Sequence, residues 1–464
     1  MFTIRIKTEN TEQVYKYNEK ILLSNALENA GIHLDKPCGG KGTCKKCSVI
    51  ANGKKVLACM TYVDSDTTID YTTDYGDIQG IVFLKEIVFN KKPLLNNGYG
   101  LAVDIGTTTI AGYIYKFPEG ECVKSIGLPN PQKTHGADVI SRIEFAKSGG
   151  LHTLKQELLN QIKALSEGYT IDKYIITGNT TMLHFITGLD PSGIAVSPFK
   201  PMSLFGNWYD NVYYPRCISS YVGADITTAI IASGMMKDKI SFLVDIGTNG
   251  EMALLKDGKL TCCSTAAGPA FEGANITSGM LGISGAINKV YIESEKLCYT
   301  TIDDVKPVGI CGTGLIDAVS CMLKKGIIDE TGYLENDFEI GDSGVYITPT
   351  DVRQLQLAKS AIRAGIDTLM NKCMISYSDL DNFYIAGGFG SFIDKESAAA
   401  IGLIPREVLD KVTVIGNGAG AGACMLLLNC DLIKESEIIA DSANTMELSS
   451  DEFFMNSYME NMMF

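Results

Sequence analysis

The stretch that decides the fold occurs twice in this chain of 464 residues. It is first Leu101-Ala-Val-Asp-Ile-Gly-Thr-Thr-Thr-Ile110 and then Leu243-Val-Asp-Ile-Gly-Thr-Asn-Gly-Glu-Met252. In both copies an apolar strand pattern ends in Asp-Ile-Gly-Thr, and a second strand pattern follows the glycine turn. Strands alternate with helical segments over residues 99–464, which indicates α/β layering. The repeated hairpin therefore predicts two duplicated α/β lobes.

The residue types in these turns are suited to phosphate. Backbone N–H groups can approach an anion closely at glycine, and threonine adds hydroxyl donors. The carboxylate that precedes each turn, Asp104 or Asp245, can hold Mg²⁺ directly or through water. The predicted phosphate-binding residues are Gly106, Thr107, Thr108 and Thr109 in the first turn and Gly247, Thr248 and Asn249 in the second.

A third segment, Tyr384-Ile-Ala-Gly-Gly-Phe-Gly-Ser391, is a strand pattern that runs into a glycine-rich turn. It is suited to a nucleotide base and ribose, with Gly387, Gly388 and Phe389 as the candidate contacts. The chain contains no Gly-x4-Gly-Lys-Ser/Thr, which excludes a Walker-type ATPase. Each of the three segments taken alone could equally be an ordinary β-turn.

Four cysteines are concentrated near the start of the chain, with the spacing Cys38-x5-Cys44-x2-Cys47-x11-Cys59. Four thiolates hold either zinc or an iron–sulfur cluster. A zinc site usually shows two Cys-x2-Cys pairs, and here there is one. The first three cysteines share a glycine-rich loop whose backbone can fold closely around a cluster. The alternative is a zinc-stapled or free-thiol loop.

Residues 1–78 form the first predicted unit. Phe2, Ile4 and Ile6 alternate as in a strand, residues 21–30 have helical spacing, and Asn52-Gly53 predicts a tight hairpin turn. A hairpin, a helix and then the cysteine loop resemble the plant-type 2Fe–2S ferredoxin fold, an α+β ferredoxin-like (β-grasp) domain. That resemblance implies one 2Fe–2S cluster on Cys38, Cys44, Cys47 and Cys59.

Composition excludes several classes of protein. The chain is 45% hydrophobic and 20% charged, as in globular proteins. Its net charge of -14 disfavours nucleic acid and anionic membranes as partners. The amino terminus lacks the apolar core of a signal peptide, and no apolar run is long enough to cross a membrane. We therefore expect a cytoplasmic protein.

Lysines surround the cysteine loop, and no acidic residue lies between positions 36 and 55. This basic rim could dock an acidic electron donor, or it could simply balance an anionic cluster. The members of the rim are Lys36, Lys41, Lys45, Lys46, Lys54 and Lys55.

The three glycine segments, in this order, resemble the acetate kinase, sugar kinase, Hsp70 and actin (ASKHA) superfamily. In that superfamily the first two hairpins hold the phosphates from opposite lobes and the third segment carries the adenosine. The expected architecture is a ferredoxin domain at 1–78, a strand and linker at 79–98, and a two-lobed ASKHA ATPase domain at 99–464.

Further runs, combined with the cysteine loop, resemble the reductive activators of corrinoid-dependent proteins. The resemblance covers nearly the whole chain. Longer members of that family carry an additional domain between the ferredoxin domain and the first hairpin, whereas here only residues 79–98 separate them. The runs that carry the resemblance are Asn130-Pro-Gln, 136–142, 178–184, 222–225, 267–274 and Gly312-Thr313-Gly-Leu-Ile-Asp317.

The family resemblance implies an ATP-dependent enzyme that passes one electron from a 2Fe–2S cluster to Co(II) of a corrinoid protein and restores Co(I). Asp104 and Asp245 would share one Mg²⁺-ATP between the lobes, and Gly312 and Thr313 would contact the nucleotide. The implied partners are a corrinoid protein of a methyltransferase system and an electron donor such as reduced ferredoxin or flavodoxin. A homodimer is left open.

Two other functions remain open at this point. A small-molecule kinase with a fused redox sensor would need a carboxylate base, for which Asp225 and Glu272 are candidates. A redox-responsive switch would use ATP only to change shape. Two smaller expectations concern His184, which either approaches the cleft or is structural, and the last ten residues, which we expect to be poorly ordered or packed against a partner.

Overall fold

The computed structural model describes residues 1–7, 12–30, 32, 34, 40, 42, 47–70, 89–388 and 392–464. Of the predicted site residues, Cys38, Cys44 and Phe389 lie outside this described part. The described chain comprises an amino-terminal unit and two larger α/β lobes, each built around its own sheet.

The amino-terminal unit is a five-stranded mixed sheet in the order β2-β1-β7-β4-β5, with a helix and a two-stranded sheet beside it. Strands β1 and β7 are parallel. Phe2, Ile4 and Ile6 point into the core, as their alternation predicts. Its elements are β1 (Phe2–Lys7), β2 (Glu12–Tyr17), β3 (Ile21–Leu22), α1 (Leu23–Asn29), β4 (Ser48–Ala51), β5 (Lys54–Leu57), β6 (Tyr62–Val63) and β7 (Thr67–Asp70).

The predicted turn between β4 and β5 is confirmed. Asn52 and Gly53 both have positive φ, 48° and 74°, as a two-residue turn of a twisted hairpin requires. The helix is shorter than its apolar pattern suggests, because Ile21 and Leu22 pair with Val63 and Tyr62 instead.

The first lobe is a six-stranded sheet in the order β10-β9-β8-β11-β13-β12, covered by helices. Strand β8 is antiparallel to β9 and parallel to β11. The elements are β8 (Gly98–Ile105), β9 (Thr109–Phe117), β10 (Glu121–Pro129), α2 (Val139–Phe145), α3 (Leu151–Leu165), β11 (Ile171–Gly178), α4 (Thr180–Thr187), β12 (Asn207–Tyr209), β13 (Val212–Tyr214) and α5 (Ala224–Ser233).

The second lobe repeats this arrangement in the order β23-β22-β14-β15-β16-β24. Its central elements are β14 (Ile240–Ile246), β15 (Gly250–Lys256), β16 (Lys259–Thr265), β22 (Asn382–Ala386), β23 (Val412–Gly416) and β24 (Asn444–Thr445). The others are β17 (Ala286–Glu293), β18 (Lys296–Thr301), β19 (Gly309–Ile310), α6 (Gly312–Lys324), β20 (Phe338–Glu339), β21 (Tyr346–Ile347), α7 (Pro349–Lys372), α8 (Lys395–Ala400), α9 (Gly418–Leu428), α10 (Asp431–Ser442) and α11 (Glu452–Glu460).

The two sheets correspond strand by strand. In the first lobe, the antiparallel meander β8–β10 continues through β8 into the parallel strands β11 and β13. In the second lobe, the meander β14–β16 continues in the same way through β14 into β22 and β23. Each predicted Asp-Ile-Gly-Thr hairpin is the first turn of its meander. The duplication expected from the sequence is therefore present in the sheet topology.

Helix α9, which follows the last central strand of the second lobe, packs against the first lobe. Its glycines permit this close contact: a Cβ on Gly422 would lie 2.0 Å from the Thr228 carbonyl oxygen on α5. Leu427 shares one hydrophobic cluster with Ala102 of β8 and Leu243 of β14. The two sheets are thus joined through a common core behind the hairpins.

Part of the segment expected to be a linker is attached to this core. The Lys92 N–H donates to the Leu428 carbonyl at 2.9 Å, and the Cys430 N–H donates to the Lys92 carbonyl at 2.9 Å. Leu94 and Leu95 pack against the same cluster. Residues 92–95 therefore continue the body formed by the two lobes rather than forming a free connection.

The carboxyl-terminal residues contradict the expectation of poor order, because they pack on the second lobe of the same chain. Helix α11 packs on α7, and the Phe464 N–H donates to the Glu330 carbonyl at 2.8 Å. The buried Lys359 ammonium on α7 donates to the Met463 carbonyl and lies 5.1 Å from the centre of the Phe464 ring. The tail is held because it supplies backbone acceptors to polar side chains of α7. No helix in the described part of the chain is long and apolar enough to cross a membrane.

Candidate functional site

The two hairpin turns face one cavity of about 410 Å³ between the lobes. Most of the predicted nucleotide residues line it, although they come from distant parts of the sequence. These are Asp104, Gly106, Thr107, Thr109, Asp245, Gly247, Thr248, Asn249, Gly312, Thr313, Gly387 and Gly388. We refer to this space as the interlobe cavity.

The two aspartates occupy equivalent places, at the ends of β8 and β14. Asn417, the N-cap of α9, donates a hydrogen bond of 2.9 Å from Nδ2 to Asp104 Oδ2. Its own Oδ1 accepts from the Gly420 N–H at 2.7 Å, which fixes the amide orientation. The first aspartate is therefore held by a residue that the sequence analysis did not select.

The first turn is supported by two asparagines from the family runs. Asn130 donates from Nδ2 to the Gly106 carbonyl at 2.8 Å, and its N–H donates to the Thr108 carbonyl at 2.8 Å. Asn179, the N-cap of α4, donates to Thr107 Oγ1 at 3.2 Å. These contacts hold the turn backbone in shape and explain why polar residues are needed at those positions.

The two turns are bridged by a carboxylate. Thr108 Oγ1 donates to Glu272 Oε2 at 2.5 Å, and Thr248 Oγ1 donates to the same oxygen at 2.6 Å. The two hydroxyl oxygens are 3.4 Å apart. Thr108 does not itself line the interlobe cavity, but its hydroxyl meets the second hairpin through Glu272.

The third glycine segment follows β22 and reaches the same place. Gly387 has φ +108, and a Cβ there would lie 2.5 Å from the Ile246 carbonyl oxygen and 2.9 Å from Asp245 Oδ1. Only glycine fits so close to the second hairpin. Gly388 also lines the cavity. Apolar side chains lie around this space at Met280, Leu281, Ile302 and Phe392.

Gly312 and Thr313 form the first turn of α6, which starts at the cavity. The Thr313 hydroxyl donates to the Asn288 carbonyl at 2.9 Å, so the helix start is tied to β17. The amino-terminal N–H groups of this 13-residue helix therefore open toward the cavity, where an anion is favoured.

The interlobe cavity is strongly acidic. No Lys, Arg or His is present among the described residues that line it. The acidic residues of the lining are Asp104, Asp225, Asp245, Glu251, Glu272, Asp303 and Asp304. A polyphosphate could enter such a site only together with cations.

Burial weakens the acidity of the innermost carboxyl groups. It raises the pKa of Asp104 to about 6, although the Asn417 hydrogen bond opposes the shift. Burial, with the neighbouring charges of other carboxylates, raises the pKa of Asp245 to about 7 and that of Asp225 to about 8. The pKa of Glu251 is raised well above its usual value for the same reasons. These groups need a cation to be ionised together at neutral pH.

A magnesium ion fits this donor set in one particular way. No three Cys, His, Asp or Glu side chains in the described part of the chain are close enough to chelate a metal ion by themselves. Mg²⁺ usually keeps several waters and is bound by one or two carboxylates together with substrate phosphates. The arrangement of Asp104 and Asp245 therefore suits a cation that arrives with a phosphate ligand.

Five acidic residues of the lining were not among the residues assigned to the nucleotide, including Asp225, Glu251 and Glu272. Asp225 and Glu272 had been considered only as bases of the alternative kinase, and Glu251 was not selected. Glu251 is the cross-strand neighbour of Asp245, and its Oε1 has no hydrogen-bond partner. Its place at the end of the second repeated stretch was the signal that could have identified it.

Two other side chains are structural. His184 is fully buried, its Nδ1 lies 2.7 Å from the Thr180 carbonyl oxygen, and it does not line the cavity. Arg142 is also fully buried, and its Nε donates to the Gly136 carbonyl at 2.9 Å. These contacts account for His184 and Arg142 in two of the family runs without placing those two side chains in the cavity.

The amino-terminal unit contains a second candidate site. Cys47 and Cys59 are buried, and their sulfur atoms lie 3.1 Å apart. Cys59 follows β5, so the β4–β5 hairpin brings the two thiols together, as the spacing predicts. Thiolate–metal bonds are about 2.3 Å long, so two sulfurs at this separation can bind the same metal ion. The positions of Cys38 and Cys44 lie outside the described residues.

Two lobes with duplicated hairpins around one shared cavity are the arrangement that the sequence resemblance to the ASKHA class led us to expect. Residues 239–464 match the family described as the C-terminal domain of RACo, the ASKHA domain. Residues 99–238 match the RACo middle region. The two matches meet between α5 and β14, at the boundary between the two lobes.

Individual relatives specify the family further. The chain is 31% identical over 585 aligned positions to the corrinoid activation enzyme RamQ of Eubacterium limosum, covering 98% of both chains. It is 28% identical to a Methanosarcina barkeri protein named as a reductase of a Co(II) methylated amine-specific corrinoid protein, covering 78% of this chain and 76% of that one. The protein belongs to the RACo family of corrinoid activation enzymes, as the sequence resemblance predicted.

A solved structure agrees with this assignment. The reductive activator for the corrinoid, iron-sulfur protein has a TM-score of 0.75 and 27% identity to this chain, and the match covers 100% of this chain and 98% of that one. The alignment with RamQ is more than a hundred positions longer than this chain. Insertions in the relative account for that difference, in keeping with the additional domain expected of longer family members.

Proposed function

We propose that this protein is an ATP-dependent reductive activator that passes one electron from a 2Fe–2S cluster to Co(II) of a corrinoid protein and regenerates Co(I). The observation that carries the proposal is the pair of Asp-Ile-Gly-Thr hairpins that face one cavity, in a chain similar over nearly its whole length to a corrinoid activation enzyme. The proposed substrate is the Co(II) form of a corrinoid protein that serves a methyltransferase.

The interlobe cavity is proposed to bind one Mg²⁺-ATP. Asp104 and Asp245 would hold Mg²⁺, mainly through its water ligands, from opposite lobes. The phosphates would be bound by the turn residues, at 106–109 and 247–249, and by the start of α6 at Gly312 and Thr313. The adenosine would lie beside Gly387 and Gly388, with Phe389 as the further contact expected from the sequence.

Residues 1–78 are proposed to be a ferredoxin-like domain with Cys38, Cys44, Cys47 and Cys59 as the ligands of one 2Fe–2S cluster. The mixed five-stranded sheet and the close Cys47–Cys59 pair support this assignment. The cluster, when bound, supplies one-electron transfer. Lys54 and Lys55 are exposed on the neighbouring hairpin, which favours an acidic electron donor such as a reduced ferredoxin or flavodoxin.

The nucleotide is needed if the electron moves energetically uphill. For a one-electron couple, 59 mV corresponds to about 1.4 kcal/mol, so a gap of about 300 mV requires roughly 7 kcal/mol. Binding or hydrolysis of ATP can supply such an amount only through differential affinity for two states of the lobes. A cavity formed by both lobes is suited to this, because closure brings donors from each onto one ligand.

The test is the rate at which the full chain, under a strong reductant, removes the Co(II) absorption of a candidate corrinoid protein. We expect that rate to depend on Mg²⁺-ATP and ATP turnover to rise when the Co(II) protein is present. Equal rates with and without ATP would contradict the proposal. ATP turnover that requires a small-molecule acceptor instead would favour the kinase alternative.

A further inference from the structure

Glu272 lies where a phosphate would have to bind. Its Oε2 accepts the hydroxyl hydrogen bonds of Thr108 and Thr248, one from each hairpin, at 2.5 and 2.6 Å. Burial raises the pKa of Glu272, and the hydrogen bonds from the two threonine hydroxyls and the Thr248 backbone N–H oppose that shift. Two hydroxyls and a backbone N–H are the donors that a glycine-threonine turn offers to a phosphate oxygen. In this structure a carboxylate of the chain uses them.

We propose that Glu272 is a stand-in for the terminal phosphate of ATP. Without nucleotide, its carboxylate joins the two hairpins through Thr108 and Thr248. The terminal phosphate takes over these donors, and Glu272 must leave them. This inference rests on the proposed function, because it takes Mg²⁺-ATP as the ligand of the interlobe cavity.

The backbone of the segment that carries Glu272 is anchored beside the site. Residues Pro269–Glu272 form one short 3-10 turn between Gly268 and Gly273, whose φ angles are +79 and +77. Gly268 is tied to the second hairpin, since its N–H donates to the Thr248 carbonyl at 2.9 Å. Ala270 and Phe271 of this turn are buried in the core, and a Cβ on Gly273 would lie 2.5 Å from the Met280 carbonyl oxygen. The backbone therefore stays beside the site, and Glu272 leaves the hydroxyls by rotation of its side chain.

Electrostatic repulsion prevents Glu272 and the terminal phosphate from using the two hydroxyls at the same time. A carboxylate and a phosphate cannot share the same hydroxyls without strong repulsion, because both are anions and no basic residue of the described lining lies between them. Glu272 therefore competes with the terminal phosphate. It competes less with ADP, which has no phosphate at that position.

Removing the carboxylate should strengthen binding of ATP, which is the opposite of what the loss of a ligand-contacting or structural residue does. We expect Glu272→Gln and Glu272→Ala to lower the Kd of a non-hydrolysable ATP analogue with Mg²⁺ by about tenfold. The Kd of ADP should change much less. Calorimetric titration of the full chain measures both constants, and thermal melting of each variant checks that it is folded.

Two further variants test whether the gain in affinity depends on release of the two hydroxyls. In a chain that carries Thr108→Val and Thr248→Val, the gain from Glu272→Ala should disappear, since there are no hydroxyls left to release. Glu251→Gln is the matched charge control, because Glu251 is buried in the same cavity and its Oε1 has no partner. We expect it to alter the affinities for ATP analogue and ADP to the same extent.

The outcomes separate the two proposals. If the wild-type chain binds neither nucleotide, the proposed function fails. If the wild-type chain binds and the Glu272 variants bind the analogue equally or more weakly, the stand-in role is wrong. A gain that is equal for ADP, or that persists without the two hydroxyls, would also overturn it, because the effect would then be general charge removal.

Discussion

At the scale of single residues, the candidate site contains buried acids whose ionised forms are unfavourable when no cation is bound. Asp104, Asp225 and Asp245 all have a raised pKa, chiefly because they are removed from water. This cost is consistent with the proposed binding of Mg²⁺, whose charge would stabilise the ionised carboxylates. This is the usual conflict between stability and function at a binding site.

The pH dependence follows from the sign of these shifts. Each of the three carboxyl groups is protonated in the folded state over a pH range in which it is ionised in the unfolded chain, so folding takes up protons. The stability of the nucleotide-free protein should therefore fall as pH rises from about 4 to about 8. One pKa unit is worth about 1.4 kcal/mol, so a loss on the order of 1 kcal/mol or more per group is expected.

Asp245→Asn tests both the cost of this carboxyl group to stability and its proposed role in ATP turnover. Without Mg²⁺ and nucleotide, the variant should melt at a higher temperature than wild type at pH 8, with a smaller gain at pH 5. It should also lose ATP turnover, while the absorption of the iron–sulfur cluster is unchanged. The matched control is Asp257→Asn on the exposed β15–β16 turn, for which both properties should stay as in wild type. Normal turnover in the Asp245 variant would show that the assignment is wrong.

At the scale of elements, hairpins position both candidate sites. The first turns of two meanders place the candidate phosphate-binding residues, and the β4–β5 hairpin brings Cys59 to Cys47. Each hairpin was predictable because glycine, asparagine and alternating strand patterns specify it locally. The meeting of the two meander turns was not predictable from either stretch alone, because it depends on how the lobes pack.

The cysteine hairpin leads to a prediction about metal content. Chains purified without oxygen should carry about two irons each, with the absorption of a 2Fe–2S cluster. Cys59→Ala should abolish that spectrum, because a sulfur that lies 3.1 Å from its neighbour would be missing from the ligand set. Cys122→Ala is the control, since Cys122 is exposed on β10 of the first lobe. Zinc without iron would contradict the cluster assignment.

At the scale of the whole molecule, the two proposed activities lie in different parts of one chain. The nucleotide site is formed only when both lobes are present, and helix α9 ties them through the core behind the cavity. The thiol pair belongs to the amino-terminal sheet. Residues 92–95 are attached to the ASKHA body, so the connection between the two parts is shorter than the sequence suggested.

Cleavage of the chain tests whether that connection matters. A protease site inserted between Asp70 and Phe89 would separate the two parts after purification. We expect the cleaved halves to retain the cluster spectrum and ATP binding, yet to lose ATP-dependent Co(II) reduction at low concentration. The reason is that a tether keeps the electron donor at high effective concentration near a docked partner. The uncut protein with the same insertion is the control, and full activity of residues 89–464 alone would refute the coupling.

The sequence by itself determined the local chemistry of this protein. The duplicated hairpins, the turn at Asn52-Gly53, the cysteine spacing and the family followed from patterns that neighbouring residues specify. Short-range backbone preferences and alternation are sufficient for such features. The same reasoning failed at the carboxyl terminus, where a polar, methionine-rich tail packs on α7 through backbone carbonyls that no side-chain pattern reveals.

Only the tertiary structure decided which side chains meet in the cavity. Glu272 and Asn417 are distant in sequence from the hairpins that they contact, at Thr108 and Asp104. Such pairings depend on the packing of two lobes and on α9 crossing between them, which a local pattern cannot encode. Burial, and with it the raised pKa of Asp104, Asp225 and Asp245, is likewise a property of the assembled lobes, because desolvation exists only once the surrounding chain has excluded water.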